Sequence, residues 1–287
     1  MKQLLTGFEA AVAVRLLRDS HPDTILIVEG PNDERFYSRH VVEKCHFVIA
    51  HGKDNLERSL RSLDAEGFAG VLGIKDADFG WYEGLAPWSS NLIWTDHHDL
   101  DVLLLSSAAC ASVIAELVDK RKLQEFRVRT GVDLANSILS AVSVLGFLRL
   151  HSLRIPLNLR FEGIAFENFV DMDTLTINQN RMITEVRNKS NRHDLDFSEL
   201  LQAIEALMVE PHDPRQVSCG PDALEFLSLA LRKGLAANER QEVKRELLQR
   251  YLRLAYRSED FEETQLHSVM TEWSDRNPDY PLLPSRN

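Results

Sequence analysis

Between Thr24 and Trp94 the chain alternates short apolar, β-branched runs with helical patterns, and this rhythm limits the fold more than any other feature. Thr24-Ile25-Leu26-Ile27-Val28, bounded by Pro22 and Gly30, reads as a buried strand. Asp33 to Lys44 follows as a helix with Phe36, His40 and Val41 facing inward. Phe47 to Ala50 is a second strand, and Asp54 to Ala65 a helix with Leu56, Leu60 and Leu63 on one face. Gly70 to Ile74 and Leu92 to Trp94 supply a third and a fourth strand. A β-α-β-α-β-β order implies a mainly parallel four-stranded sheet flanked by helices. From about Ser106 the period turns helical, through 106–119, 133–150, 198–209, 222–236 and 239–257. The expected organisation is an α/β domain over residues 1–119, followed by an all-α domain over 120–287. Leu4, Phe8, Val12 and Leu16 would form the inward stripe of an N-terminal helix. Asn277 to Asn287, proline-rich and without period, reads as a loose tail.

In a parallel α/β sheet, functional groups gather at the carboxyl edge of the strands. Strand one ends in Glu29-Gly30, and Pro31-Asn32-Asp33 opens the next helix; Gly30 would let the backbone turn sharply. Strand three ends in Asp76-Ala77-Asp78, and strand four in Thr95-Asp96, with Asp99 and Asp101 close behind. Three strand ends thus deliver carboxylates to one edge. Paired carboxylates suit a hard, oxygen-ligated divalent ion, which in turn suits phosphoryl transfer. Taken singly, an Asp-x-Asp is most simply a turn or cap, and Asp33 a first-turn helix acid. The combination of Glu-Gly-x-x-Asp on strand one with Asp-x-Asp beginning 47 residues after Glu29 is far more specific. Net charge is −11, and the excess acid lies early: residues 1–110 hold 10 Lys+Arg against 17 Asp+Glu. That excludes a generic basic nucleic-acid binder and is consistent with carboxylates that need divalent cations.

Val28-Glu29-Gly30-Pro31-Asn32-Asp33 and Ile74-Lys75-Asp76-Ala77-Asp78-Phe79 resemble the two signature motifs of the Toprim fold. His51-Gly52-Lys53-Asp54-Asn55 and Thr95-Asp96-His97-His98-Asp99-Leu100-Asp101 are similar, more narrowly, to the DUF4435 group of Toprim proteins. The resemblance covers roughly residues 20–110. It implies an α/β Toprim, Rossmann-like domain followed by helices, and a Mg²⁺- or Mn²⁺-dependent nuclease. Glu29 would be the catalytic acid/base, and Asp76 and Asp78 catalytic metal ligands. The full candidate ligand set is Glu29, Asp33, Asp76, Asp78, Asp96, Asp99 and Asp101, the last three completing a second metal position. The group is associated with partner ATPases in anti-phage defence, including the Toprim effector of the PARIS system. The resemblance therefore implies an RNA substrate, tRNA above all, a partner ABC-type ATPase that restrains the protein, and a homodimer when active. A DNA nuclease or nickase of the overcoming-lysogenization type would use the same carboxylates, and a non-catalytic Toprim-scaffold adaptor would use none. The family's Gly-x-Asp motif carries a basic or His residue at its centre, whereas the nearest match here, Cys219-Gly220-Pro221-Asp222, has Pro there and reads as a helix start.

Weaker signals leave alternatives open. Lys53 would touch a substrate phosphate or be a solvated first-turn lysine. Trp81, Tyr82 and Trp88 would stack on unpaired bases or pin their loop. The basic runs Lys120 to Arg129 and Arg181 to Arg192, interspersed with acids, read as solvated helix faces more readily than as a phosphate track. Adjacent His97 and His98 point apart, so at most one would join an ion. An unrelated phosphatase of the haloacid-dehalogenase type would carry Asp-x-Asp on its first strand, not its third. No phosphate-binding Gly-x-x-x-x-Gly-Lys-[Ser/Thr] loop and no Gly-x-Ser-x-Gly elbow is present, so ATP chemistry would come from another chain. The three cysteines, Cys45, Cys110 and Cys219, fit a reducing compartment. Glu9 and Arg15 interrupt the apolar N-terminus, excluding a signal peptide or membrane span and making the cytoplasm the expected location.

Overall fold

A computed structural model describes residues 9–235 and 243–284. The chain runs through α1 (Glu9–Arg18), β1 (Ile25–Val28), α2 (Pro31–Tyr37), β2 (His46–Ile49), α3 (Lys53–Ala65), β3 (Val71–Lys75) and β4 (Leu92–Trp94). Then come α4 (Leu100–Leu105), α5 (Ala108–Leu117), α6 (Lys120–Thr130) and α7 (Leu134–Arg154). A short ribbon follows, β5 (Val170–Asp171) and β6 (Thr176–Ile177), before α8 (Gln179–Ser190), α9 (Phe197–Val209), α10 (Pro214–Val217), α11 (Gly220–Leu229) and α12 (Arg245–Ala255). The last helices are α13 (Ser258–Glu262) and α14 (Gln265–Arg276). The chain divides into two compact units: residues 1–77, 85–96 and 257–287 form one, and 78–84 and 97–256 the other. This division differs from the expected break at residue 119/120: 78–84 and 97–119 belong with the helices, and 257–287 with the sheet.

The first unit holds a four-stranded sheet in the order β2-β1-β3-β4, with every pair parallel. β1 and β3 are central and buried throughout, as their unbroken apolar runs require. Leu56, Leu60 and Leu63 of α3 pack on the sheet at full burial. Gly73 makes this approach possible: a Cβ there would lie 3.1 Å from Leu60 and 3.2 Å from Leu56. α2 is shorter than expected, yet Phe36, His40 and Val41 are buried as read from the sequence.

Two expectations fail in this unit. α1 buries Ala10, Ala11 and Val14, whereas Val12 is 48% and Leu16 67% exposed; Leu4 and Phe8 lie outside the described residues. The helix turns its small-residue face inward, and Arg15 hydrogen-bonds Ser62 and Glu66 at the end of α3. The C-terminal segment is docked up to Leu282 rather than loose. Thr24 donates to the Pro281 carbonyl at 2.8 Å, Val42 N–H to the Leu282 carbonyl at 2.9 Å, and Leu282 is fully buried. Tyr280 lies so close over Gly70 that a Cβ there would overlap its ring.

The second unit is mainly helical, but the β5–β6 ribbon corrects the all-α expectation. The Asp171 carboxylate accepts from Asp173 N, Thr174 N and Thr174 Oγ1 in the ribbon's turn, and these bonds hold it below the usual carboxylate range. α7 is the one helix among the described residues long and apolar enough to cross a membrane, and most of it is buried within the protein. Gly146 lets α7 meet the Val217 backbone, where a Cβ would be 2.1 Å from the carbonyl oxygen. The basic runs read as solvated helix faces lie on α6 and α8, and most of the charges of α6 face solvent as expected.

Candidate active site

The strand order has a switch point. From β1 the chain crosses to β2 on one side, then returns to place β3 on the other. In open α/β sheets the crevice beyond the carboxyl ends of two such strands is where ligands bind. The residues leaving β1 and β3 there are Glu29 and Asp76. Because Val28 pairs with Ile74, the two strands end level with each other. Glu29 Oε1 accepts a hydrogen bond from the Asp76 amide at 3.0 Å. Both side chains are half-buried, so they stand at the sheet edge within reach of solvent.

The neighbouring strand ends brace this pair. The Glu29 carbonyl accepts from Gly52 N–H at 3.0 Å, tying the β2–α3 turn to the end of β1. That turn needs left-handed backbone at His51 (φ 57°) and at Gly52 (φ 121°). It brings exposed Lys53, the first residue of α3, to the same edge. On the other side, Thr95 at the end of β4 is buried and its hydroxyl accepts from Ala77 N–H at 3.0 Å. Lys75 reaches α3, where its ammonium meets Glu57 at 2.7 Å and lies 5.1 Å from the Trp94 ring. Sequence reasoning passed over Thr95 and Lys75; a hydroxyl at a strand end and a charge inside a buried run were the available signals.

Gly30 and Asp33 take different parts from those expected. Gly30 is extended (φ −151°, ψ 177°), a conformation open to any residue, so no sharp turn depends on it. Asp33 Oδ2 accepts from Gly30 N–H at 2.7 Å, which makes it a capping acid of α2 rather than an evident ion ligand.

Each acid of the third cluster has hydrogen-bond donors of its own. Asp96, in the first unit, accepts from Gln265 N–H at 2.8 Å and Leu266 N–H at 2.7 Å, so both oxygens serve the N-terminus of α14. In the second unit, Asp99 caps α4 through Val102 N–H and also accepts from Gly220 N–H at 2.7 Å and contacts His98 Nδ1 at 3.1 Å. Both Asp101 oxygens meet Gln249 Nε2, at 2.9 and 2.8 Å. Burying Asp99 and Asp101 at under 10% exposure is tolerable because donors surround them. Asp78 opens the second unit in left-handed backbone (φ 49°), its amide donating to the His98 carbonyl at 2.7 Å. Among the described residues no group of three or more His, Cys, Asp or Glu side chains forms an ion cage.

The chain matches no protein-family model and no curated protein.

Two further features bear on the open alternatives. Tyr82 donates to the Leu207 carbonyl at 3.3 Å and stands edge-on to Phe147, while Arg61 lies 3.9 Å over the Trp88 ring. These two aromatics pin their segments. In the second unit Asp222, in the Gly-x-Asp segment, holds Arg149 in a two-pronged pair at 2.8 and 2.9 Å. Burial pushes the Asp222 carboxyl upward against the pull of Arg149. This pair was invisible from the sequence because its partners stand 73 residues apart.

Proposed function

We propose that this chain is a Toprim-type nuclease that depends on a divalent metal and acts as an effector of anti-phage defence. The observation that carries the reading is the meeting of Glu29 and Asp76 at the switch point of a parallel sheet. A phosphodiester is anionic, and a site that cuts it must offset charge on the phosphate oxygens and move a proton. The donor set here is all oxygen, and one or two carboxylates with waters are what Mg²⁺ takes. Asp76 would hold Mg²⁺ or Mn²⁺, which when bound would neutralise the phosphate; Asp78 enters the ligand set on the motif resemblance alone. The Asp76 amide orients Glu29 Oε1, and Glu29 would accept the proton of the attacking water as general base. Lys53, exposed at the same edge, would contact a substrate phosphate. With Asp33, Asp96, Asp99 and Asp101 occupied by their own donors, the reading favours one ion over two.

RNA, and tRNA in particular, is the proposed substrate, with a partner ABC-type ATPase restraining the protein and a homodimer as the active form; these rest on the motif resemblance. Incubating the purified protein with Mg²⁺ or Mn²⁺ and either total tRNA or supercoiled plasmid tests both substrate classes. Cleavage of tRNA is expected, with Glu29→Gln and Asp76→Asn each slowing it by roughly 10²–10⁴-fold. Cleavage of plasmid alone would move the substrate to DNA. Cutting by Glu29→Gln at the unaltered rate would remove the catalytic assignment and leave the adaptor reading.

A further inference from the structure

The first unit carries a second concavity, lined by α13, α14, the turn after α2 and the segment 278–284. It encloses about 1260 Å³, more than the roughly 300–1,000 Å³ of a small-molecule pocket. One wall is aromatic: His40 stacks on Phe261 at 4.5 Å, and His267 stands edge-on to Phe261 at 5.5 Å. Beyond His267 on α14, Thr271, Ser274 and Asp275 also line the cleft, at about one-turn spacing. The Ser274 hydroxyl is shut off from solvent, lines the cleft and has no hydrogen-bond partner. A buried hydroxyl left unsatisfied is costly.

Charge selects the ligand. Glu262 and Asp275 stand on the rim, opposed by Arg39 alone. Burial drives the His40 imidazole down to about 4, with Arg39 and His267 adding to the effect, so it brings no positive charge at neutral pH. Beyond the rim, Glu259, Glu263, Glu272 and Asp279 are exposed on the same segment, and its arginines among the described residues are Arg257, held by Asp260 at 3.0 Å, and Arg276. A phosphate-bearing ligand would be repelled here. We propose that this cleft is a docking site for a basic, extended polypeptide segment of a partner protein. Arg or Lys side chains meet the rim carboxylates, and main-chain groups meet the serine and threonine hydroxyls of α14. The cleft's lining includes neither Glu29 nor Asp76, and the proposal stands whether or not the chain is a nuclease.

A fluorescein-labelled Arg/Gly-repeat peptide, titrated with the full chain and followed by fluorescence anisotropy, tests it. Glu262→Lys/Asp275→Lys should weaken binding by at least about tenfold. Ser274→Ala should weaken it less, and the matched reversal Glu116→Lys/Glu205→Lys, at exposed sites of the second unit, should leave it unchanged. Thermal melts that match across the variants show that folding is not the cause. The proposal is overturned if the peptide does not bind, or if the matched reversal weakens binding as much as the cleft reversal. It is also overturned if sedimentation shows the chain self-associating through this face and Glu262→Lys/Asp275→Lys dispersing it, which would make a second copy the occupant.

Discussion

Gly30 and Gly220 sit beside acidic residues in motif-like segments, and only their surroundings tell them apart. At Gly30 the backbone is extended, and an added Cβ would meet Asp33 Oδ2 at an ordinary 3.5 Å. At Gly220 the same atom would come within 2.2 Å of Asp99 Oδ1 and 2.5 Å of Asp101 Cβ, and the Gly220 amide serves Asp99. Gly30→Ala should therefore leave the urea midpoint unchanged, whereas Gly220→Ala should cost roughly 2–3 kcal/mol through overpacking and a strained buried hydrogen bond. Equal midpoints for the two variants would count against the close packing drawn here. Glu29 shows the same dependence on surroundings: Glu-Gly means little until the Asp76 amide is found at its carboxylate.

Among the elements, α14 shows how a motif acid can be drawn into architecture. Its first two amides point at Asp96, which offsets the partial positive charge of a helix N-terminus. Asp96→Ala should lose roughly 1–2 kcal/mol of stability in urea unfolding. Under the proposed function, the Mg²⁺ concentration that half-activates cleavage should stay where it was. A shift in that requirement would return Asp96 to the metal site. The strands were legible because β1 and β3 are buried on both faces and their apolar runs are unbroken. α6 buries Phe126 alone, so its charges identified it as a solvated face, whereas α8 buries Met182, Ile183 and Val186 at helical spacing. α1 was assigned correctly but rotated, because alanine carries too little hydrophobicity to outvote Val12 and Leu16 in a pattern.

For the molecule as a whole, the C-terminal segment completes the first unit, and His40 records that packing in its titration. The imidazole lies buried against Phe36 and Phe261, and its pKa falls from 6.5 to about 4. Below pH 6.5 the unfolded chain takes up a proton that the folded chain refuses. Stability should thus fall as pH drops from 6.5 toward about 4. His40→Phe keeps the ring contacts and removes the proton, so its urea midpoint should fall less over that range. Parallel slopes for the two proteins would show that His40 is not desolvated as described.

By itself the sequence determined the βαβ order, the parallel sheet and the positions at which acids leave the strands. Those follow from local burial patterns and from the rule that crossovers place successive strand ends at one edge. Tertiary structure alone decided how the acids are used. Glu29 meets the Asp76 amide across two strand ends, while Asp96, Asp99 and Asp101 find amides of α14, α11 and the Gln249 side chain far along the chain. A carboxylate's role depends on which donors reach it in three dimensions, and donors more than a hundred residues away leave no trace in local spacing.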